Sequence, residues 1–280
     1  MKKKIFILIA LIAISLLAAC GGGNGEESSS DSSTGNSKEI KIGATPGPYS
    51  DMVNKALKPG LEDLGYSVEV VEFSDYIQPN NALNNGDIDA NLFQHTIYLE
   101  NFEAENDMDL SALKIVPTAP MGIFSNKYNS IDKIEDGATV AVPNDPTNGA
   151  RAFNTLQDEG LIKLDENADE LTVSEKDIKE NPKKLVFQPI EAGQLPRAVD
   201  SADLAAVPGN YALAADMDLL DALALEDMLD QYRNVIAVKA ENEDSQLAKD
   251  LVQVVESDEF EKVIDEEFEG FGKPSWMTES

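Results

Sequence analysis

Histidine occurs once in this chain, at His95, and cysteine once, at Cys20. One cysteine rules out an internal disulfide. One histidine would leave a zinc site to be built almost wholly from carboxylates, so no metal and no cofactor is expected. The chain has no Gly-x-Ser-x-Gly turn, phosphate-binding loop or Cys-x-x-Cys pair, which removes the commonest signatures of hydrolytic, nucleotide-dependent and redox enzymes. Basic residues are scarce as well: 22 Lys and Arg against 52 Asp and Glu give a formal net charge of −30. So acidic a chain argues against nucleic acid and anionic lipid as partners, and the charge itself is read as a solubility device.

What is present begins with Lys2, Lys3 and Lys4, followed by the uncharged run Ile5 to Ala19. This has the layout of a secretory signal, and it falls short of the roughly 20 residues of a membrane-spanning helix. The run ends Leu17-Ala18-Ala19-Cys20, which resembles a bacterial lipobox. Cleavage at residue 19 would leave Cys20 as a lipidated N-terminus, held stably on the extracytoplasmic face of the cell membrane by two or more acyl chains. From Gly21 to Lys38 the chain carries no large apolar residue, so residues 20–38 read as a flexible tether.

The remaining roughly 240 residues suffice for two α/β lobes. "KEIKIGAT" alternates as a strand, "DMVNKALKPGLEDLGY" has helical apolar spacing, "SVEVVEF" is a strand, a helical turn runs to Gly86, and "DIDANLF" is a third strand. The same grammar returns in "GATVAVPN", "NGARAFNTLQDEG", "KLVFQPI", "AGQLPRAVD" and "ADLAAV". "NVIAVKA" is a late strand, and two short amphipathic helices close the chain. Strands alternating with helices imply mainly parallel sheets. The expected lobes are 39–120 with 235–280, and 121–234, the C-terminal helices completing the first.

Two segments stand out. In "VPNDPTNGARAF", residues 142–153, a strand hands over to a helix, the place where open α/β sheets bind ligands. Arg151 is read there in the first helical turn, against the helix dipole, where a bound anion would explain it. Only Arg197 and Arg233 accompany it in the whole chain. The alternative is an exposed arginine paired with Asp145 or Asp158. In "DIDANLFQHTIYLE", residues 87–100, an extended backbone puts Phe93 and His95 on one face, with Ile88, Ala90 and Leu92 on the other. With Tyr98 from the next helix and Tyr76 from the preceding junction, these could wall an apolar slot. A hydrogen-bonded, partly buried histidine of no wider role is the other reading.

Taken together, "ATPGP", "VVEFSDYIQPN", "GDIDANLFQH", "PMGIFS", "VAVPNDPTNGARA", "ENPKKL" and "NVIAV" resemble the signature segments of the NlpA-type methionine-binding lipoproteins, the substrate-binding proteins of ABC importers. The resemblance implies an α/β, two-lobed periplasmic-binding-protein fold of type II, with the ligand in the cleft between lobes. It implies that Tyr76, Phe93, His95 and Tyr98 cage a thioether chain. Asn148 and Arg151 would clamp an amino-acid head group, and Asn210 and Asn234 would add polar contacts. The implied partners are L-methionine, or D-methionine, another small amino acid or a methionine-containing dipeptide, together with an ABC permease and its ATPase subunits. A monomer without enzymatic activity is expected, and a surface adhesion lipoprotein is the alternative outside transport. The chain departs from the family's pattern at Tyr49, where histidine is frequent, at Pro208-Gly209, where Asn-Thr is usual, and at Thr96, where "IPYL" becomes "TIYL".

Overall fold

The computed structural model describes residues 38–278. Cys20, the signal run and all of the tether but Lys38 lie outside the described residues. Lys38 already belongs to the first strand, where its N–H donates to the Gly65 carbonyl at 3.2 Å. No helix among the described residues is long and apolar enough to cross a membrane.

The strands are β1 (Lys38–Ala44), β2 (Tyr66–Glu72), β3 (Ala90–His95), β4 (Leu110–Ile115), β5 (Gly122–Phe124), β6 (Thr139–Pro143), β7 (Lys163–Leu164), β8 (Ile178–Glu180), β9 (Val186–Ile190), β10 (Leu204–Val207), β11 (Ala224–Leu225) and β12 (Asn234–Lys239). They form two five-stranded sheets, ordered β2-β1-β3-β12-β4 and β11-β5-β10-β6-β9, and a small β7-β8 ribbon. In the first sheet β1 runs parallel to β2 and β3, while the late strand β12 inserts antiparallel between β3 and β4. In the second, β6 is parallel to β9 and β10, and β5 is antiparallel to β10 and β11. The two sheets are the cores of two lobes.

Local chemistry sets the helices between these strands. The first helical stretch runs Pro48–Met52, widens to a π-helical Val53–Leu57, and continues as Lys58–Asp63. Pro59 has no N–H to give, and the wider turn before it, with Lys58 N–H on the Val53 carbonyl, accommodates that missing bond. Leu57 and Leu61 from this stretch pack with Ile42 and Leu92 of the sheet and with Leu251, Phe260 and Ile264 from the C-terminal helices Gln246–Val255 and Asp258–Glu267. Ser245 and Ser257 cap those two helices, accepting from the N–H groups of Ala248 and Phe260. The second lobe has its own core around Val140, Phe153, Leu156, Phe187 and Leu204.

The chain crosses between the sheets through 116–121 and 226–233, and the two crossings are pinned together. Asn234 N–H donates to Thr118 Oγ1 at 2.7 Å, and Val116 N–H to the Asn234 carbonyl at 2.7 Å. Thr118 Oγ–H donates in turn to the Val116 carbonyl at 2.9 Å. Gly272, near the C-terminus, adds a two-bond bridge to Thr118. Replacing Thr118 by Val keeps the shape and strands the buried Asn234 N–H. The expected cost is about 1–3 kcal/mol of folding stability, read as a lower urea midpoint; an unchanged midpoint would mean that the crossing does not depend on this hydroxyl.

Candidate functional site

Between the lobes lies a tight cavity in which, as the side chains stand, the space open to the centre of a water molecule is only about 10 Å³, about room for one water. All eight residues singled out from the sequence line it: Tyr76, Phe93, His95 and Tyr98 on one side, Asn148, Arg151 and Asn210 on the other, and Asn234 at the crossing. Tyr49, Gln94, Thr118, Ala119, Pro208 and Gly209 complete the wall.

The aromatic side rests on β3, and not by simple alternation. Val235 of β12 pairs with Gln94 and Ile236 with Leu92, which leaves Phe93 bulged out of the ladder. The bulge turns consecutive residues toward the cavity, so Gln94 lines it too, although alternation would have put it in the core with Ala90 and Leu92. Gln94 is held there by Asn80, with bonds of 2.7 and 2.6 Å. Tyr76, Phe93 and Tyr98 stand about one another with ring centroids 5.8–6.0 Å apart. Tyr98 Oη–H donates to the Tyr76 carbonyl at 3.0 Å. Tyr76 Oη–H reaches across to Asn210 Oδ1 at 2.7 Å, joining the lobes.

His95 is a buried, hydrogen-bonded histidine whose ring also lines the cavity. It is the N-cap of the helix Thr96–Asn106, its Nδ1 accepting from Tyr98 N–H at 3.0 Å. That bond puts the proton on Nε2, which faces Asn148 Oδ1 at 3.4 Å. Burial first, and the Arg151 charge second, hold its pKa well below the usual value, so the ring is neutral. Burial likewise pushes the Tyr49 phenol, beside Thr118 and Ala119, up to about 12.

The opposite wall differs from the sequence reading. The helix begins at Pro146, with proline at its first position and the Asp145 side chain accepting from Asn148 N–H at 2.9 Å. Arg151 therefore sits in the second turn, and the helix end is capped by Asp145 and not left open for an anion. Nor is Arg151 an exposed partner of Asp145 or Asp158: it is 5 % exposed and forms a two-pronged pair with Glu226, Nε to Oε1 at 2.8 Å and Nη2 to Oε2 at 2.6 Å. Its Nη1 donates to Asn148 Oδ1 at 2.8 Å, the two residues sharing a helix face at i, i+3. Burial opposes the guanidinium charge, but the Glu226 carboxylate more than restores it. Tyr232 stacks on the guanidinium, 5.6 Å from ring centre to Cζ, and meets the His95 ring edge-on at 5.3 Å.

Besides Gln94, Thr118 and Ala119 of the wall, sequence reasoning missed Glu226 and Tyr232, which hold Arg151. Glu226 is one carboxylate among many, whereas Tyr232 lies two residues before Asn234, and that proximity could have found it. Pro208-Gly209 has a steric reason. A Cβ at Gly209 would lie 2.7 Å from Ala119 Cβ and press on the Pro120 carbonyl, so glycine permits the loop's close approach to the crossing.

The neutral state of His95 has a measurable consequence. Its pKa is lower folded than unfolded, so below about pH 6.5 the unfolded chain takes up a proton that the folded one refuses. Stability should fall on acidification, with up to about 1.4 kcal/mol lost per pH unit to this group. His95→Asn retains a capping side chain and should lose that increment, seen by comparing denaturation midpoints of the two proteins from pH 7.5 to 5. Parallel profiles would refute the assignment.

Residues 40–276 match the family described as NlpA lipoprotein. The D-methionine-binding lipoprotein MetQ of Escherichia coli (strain K12) is 38% identical over 240 residues, which cover 85% of this chain and 88% of that protein. The solved structure of a nutrient binding protein from Burkholderia cenocepacia bound to methionine is 40% identical with a TM-score of 0.78, covering 82% of this chain and 97% of that one. An ABC transporter periplasmic substrate-binding protein from Coxiella burnetii is 33% identical with a TM-score of 0.79, covering 84% and 99% respectively. Likeness over nearly the whole described length, in sequence and in the two-lobed fold, means that this chain belongs to the NlpA lipoprotein family.

Proposed function

We propose that the protein is an extracytoplasmic receptor that captures methionine, in the L form or as a close relative, between its lobes and delivers it to an ABC permease driven by ATPase subunits. The observation that carries this reading is the pairing of an aromatic slot with a buried arginine. The slot suits an apolar, sulfur-bearing chain, since thioether–aromatic contacts contribute about 0.3–1.5 kcal/mol each. Of the five N–H donors of a guanidinium, Arg151 uses three on Glu226 and Asn148. One N–H on each terminal nitrogen remains to grip a carboxylate. Lobes 39–120 with 235–280, and 121–234, would close around the ligand, and Cys20 would carry the lipid anchor. On this reading no reaction is catalysed. The names of the relatives favour methionine and leave D-methionine as a specific competitor.

Isothermal titration of residues 38–280 with L-methionine, D-methionine, methionine-containing dipeptides and other small amino acids tests the reading. Absence of heat with every one of them would sink it. Arg151→Ala should weaken binding by about 2 kcal/mol or more, the usual cost of losing one side of a buried charge pair. It also leaves Glu226 unpartnered, so its melting temperature should fall. Arg151→Lys restores the charge without the fork and should recover stability better than affinity. Parent-like affinity in both variants would show that the carboxylate is held elsewhere.

A further inference from the structure

Charge is distributed unevenly around the cavity. The chain as a whole is strongly acidic, yet among the described residues no aspartate or glutamate lines the cavity and Arg151 is its one charged lining residue. That charge is already matched. Glu226, its side chain 5 % exposed, grips the Nε–Nη2 edge of Arg151. It is itself fixed, because Oε2 accepts from Met121 N–H at 3.0 Å and its own N–H donates to the Met121 carbonyl at 2.9 Å.

We propose that Glu226 is a specificity-determining residue: by cancelling the charge of Arg151, the one charged residue of the cavity wall, it makes the site select ligands that are themselves net neutral. This rests on the amino-acid receptor reading. A zwitterion places its carboxylate on the two free N–H groups and brings its own compensating ammonium, which neutral amide and hydroxyl oxygens of the wall can accept. An anion with the same carboxylate would put two negative groups on one guanidinium, and in a site closed to water that excess is poorly screened. A cation lacking the carboxylate would leave the free donors of Arg151 unused and add charge beside it.

Three ligands with the same thioether chain separate these cases: L-methionine, its 2-hydroxy acid analogue, in which a hydroxyl replaces the ammonium, and L-methioninamide. With the parent protein, titration calorimetry at pH 7.5 should give the order methionine far above either analogue. Glu226→Gln should raise the affinity for the hydroxy acid relative to methionine by about tenfold or more. Glu226→Asp, which keeps the charge, should retain the parent's preference even where both affinities drop. An unchanged ratio in Glu226→Gln, or an equal change in Glu226→Asp, would overturn the inference.

A second measurement varies the pH. The parent's affinity for the hydroxy acid should rise as pH is lowered toward the acid's own pKa, while its affinity for methionine should not rise in step; burial raises the pKa of the Asp145 carboxyl bonded to Asn148, so the same trend must persist in Asp145→Asn. A hydroxy acid that matches methionine at pH 7.5 would also overturn the inference. If methionine and the other amino acids fail to bind at all, the receptor reading fails; if methionine binds and the ratios do not move, only the role of Glu226 does.

Discussion

A guanidinium buried without a counter-charge is strongly destabilising, and the inner wall of the second lobe is arranged around Arg151 so that this does not arise. Glu226 follows directly on β11, Asn148 sits one turn back on the arginine's own helix, and Tyr232 covers the flat face of the group. Asn148 comes from the arginine's own helix, while Glu226 and Tyr232 both belong to the returning crossing, so the second sheet and that crossing must be in place before they meet Arg151. The same group lowers the proton affinity of His95 on the facing lobe. Its charge is thus felt on both sides of the cleft.

The strands and helices that build the two sheets were largely legible in the sequence. Ile40 and Ile42 alternate as a half-buried strand should, and Gly86 ends its helix in a left-handed conformation at φ 77°. The strands β4, β5 and β11 were not legible: β4 and β11 lie at sheet edges and β5 is only three residues long, so their pairing is decided by partners far away in sequence. The eight residues singled out from the sequence all line the cavity, although for β3 the periodic argument fell short. A bulge is created by register against β12, and a single strand read alone shows only its own period. Glu226 was invisible for another reason: it has no local signature, and its role follows only from the arginine it meets 75 residues away.

The lobes share apolar surface as well as polar bonds. Tyr76, Phe93, Tyr98 and Phe102 from the first lobe form one cluster with Ala119, Phe124, Tyr211 and Leu219 of the crossing and the second. Tyr211 Oη–H donates to the Ser74 carbonyl at 3.2 Å, and Asn210 Nδ2 approaches Thr45 Oγ1 at 3.4 Å. The lobes therefore meet through an apolar cluster stitched by a few polar bonds, the mixture found at interfaces between domains.

Asn234 joins these themes. Its side chain lines the cavity, its backbone is bonded to Thr118 and Val116 in the other crossing, and it opens β12, the strand that runs through the middle of the first sheet. Gly272 ties the end of the chain to the same Thr118. Cavity wall, crossing and central strand thus meet at one residue. Any rotation of one lobe on the other about these crossings would be felt by the cavity without a relay of intervening side chains.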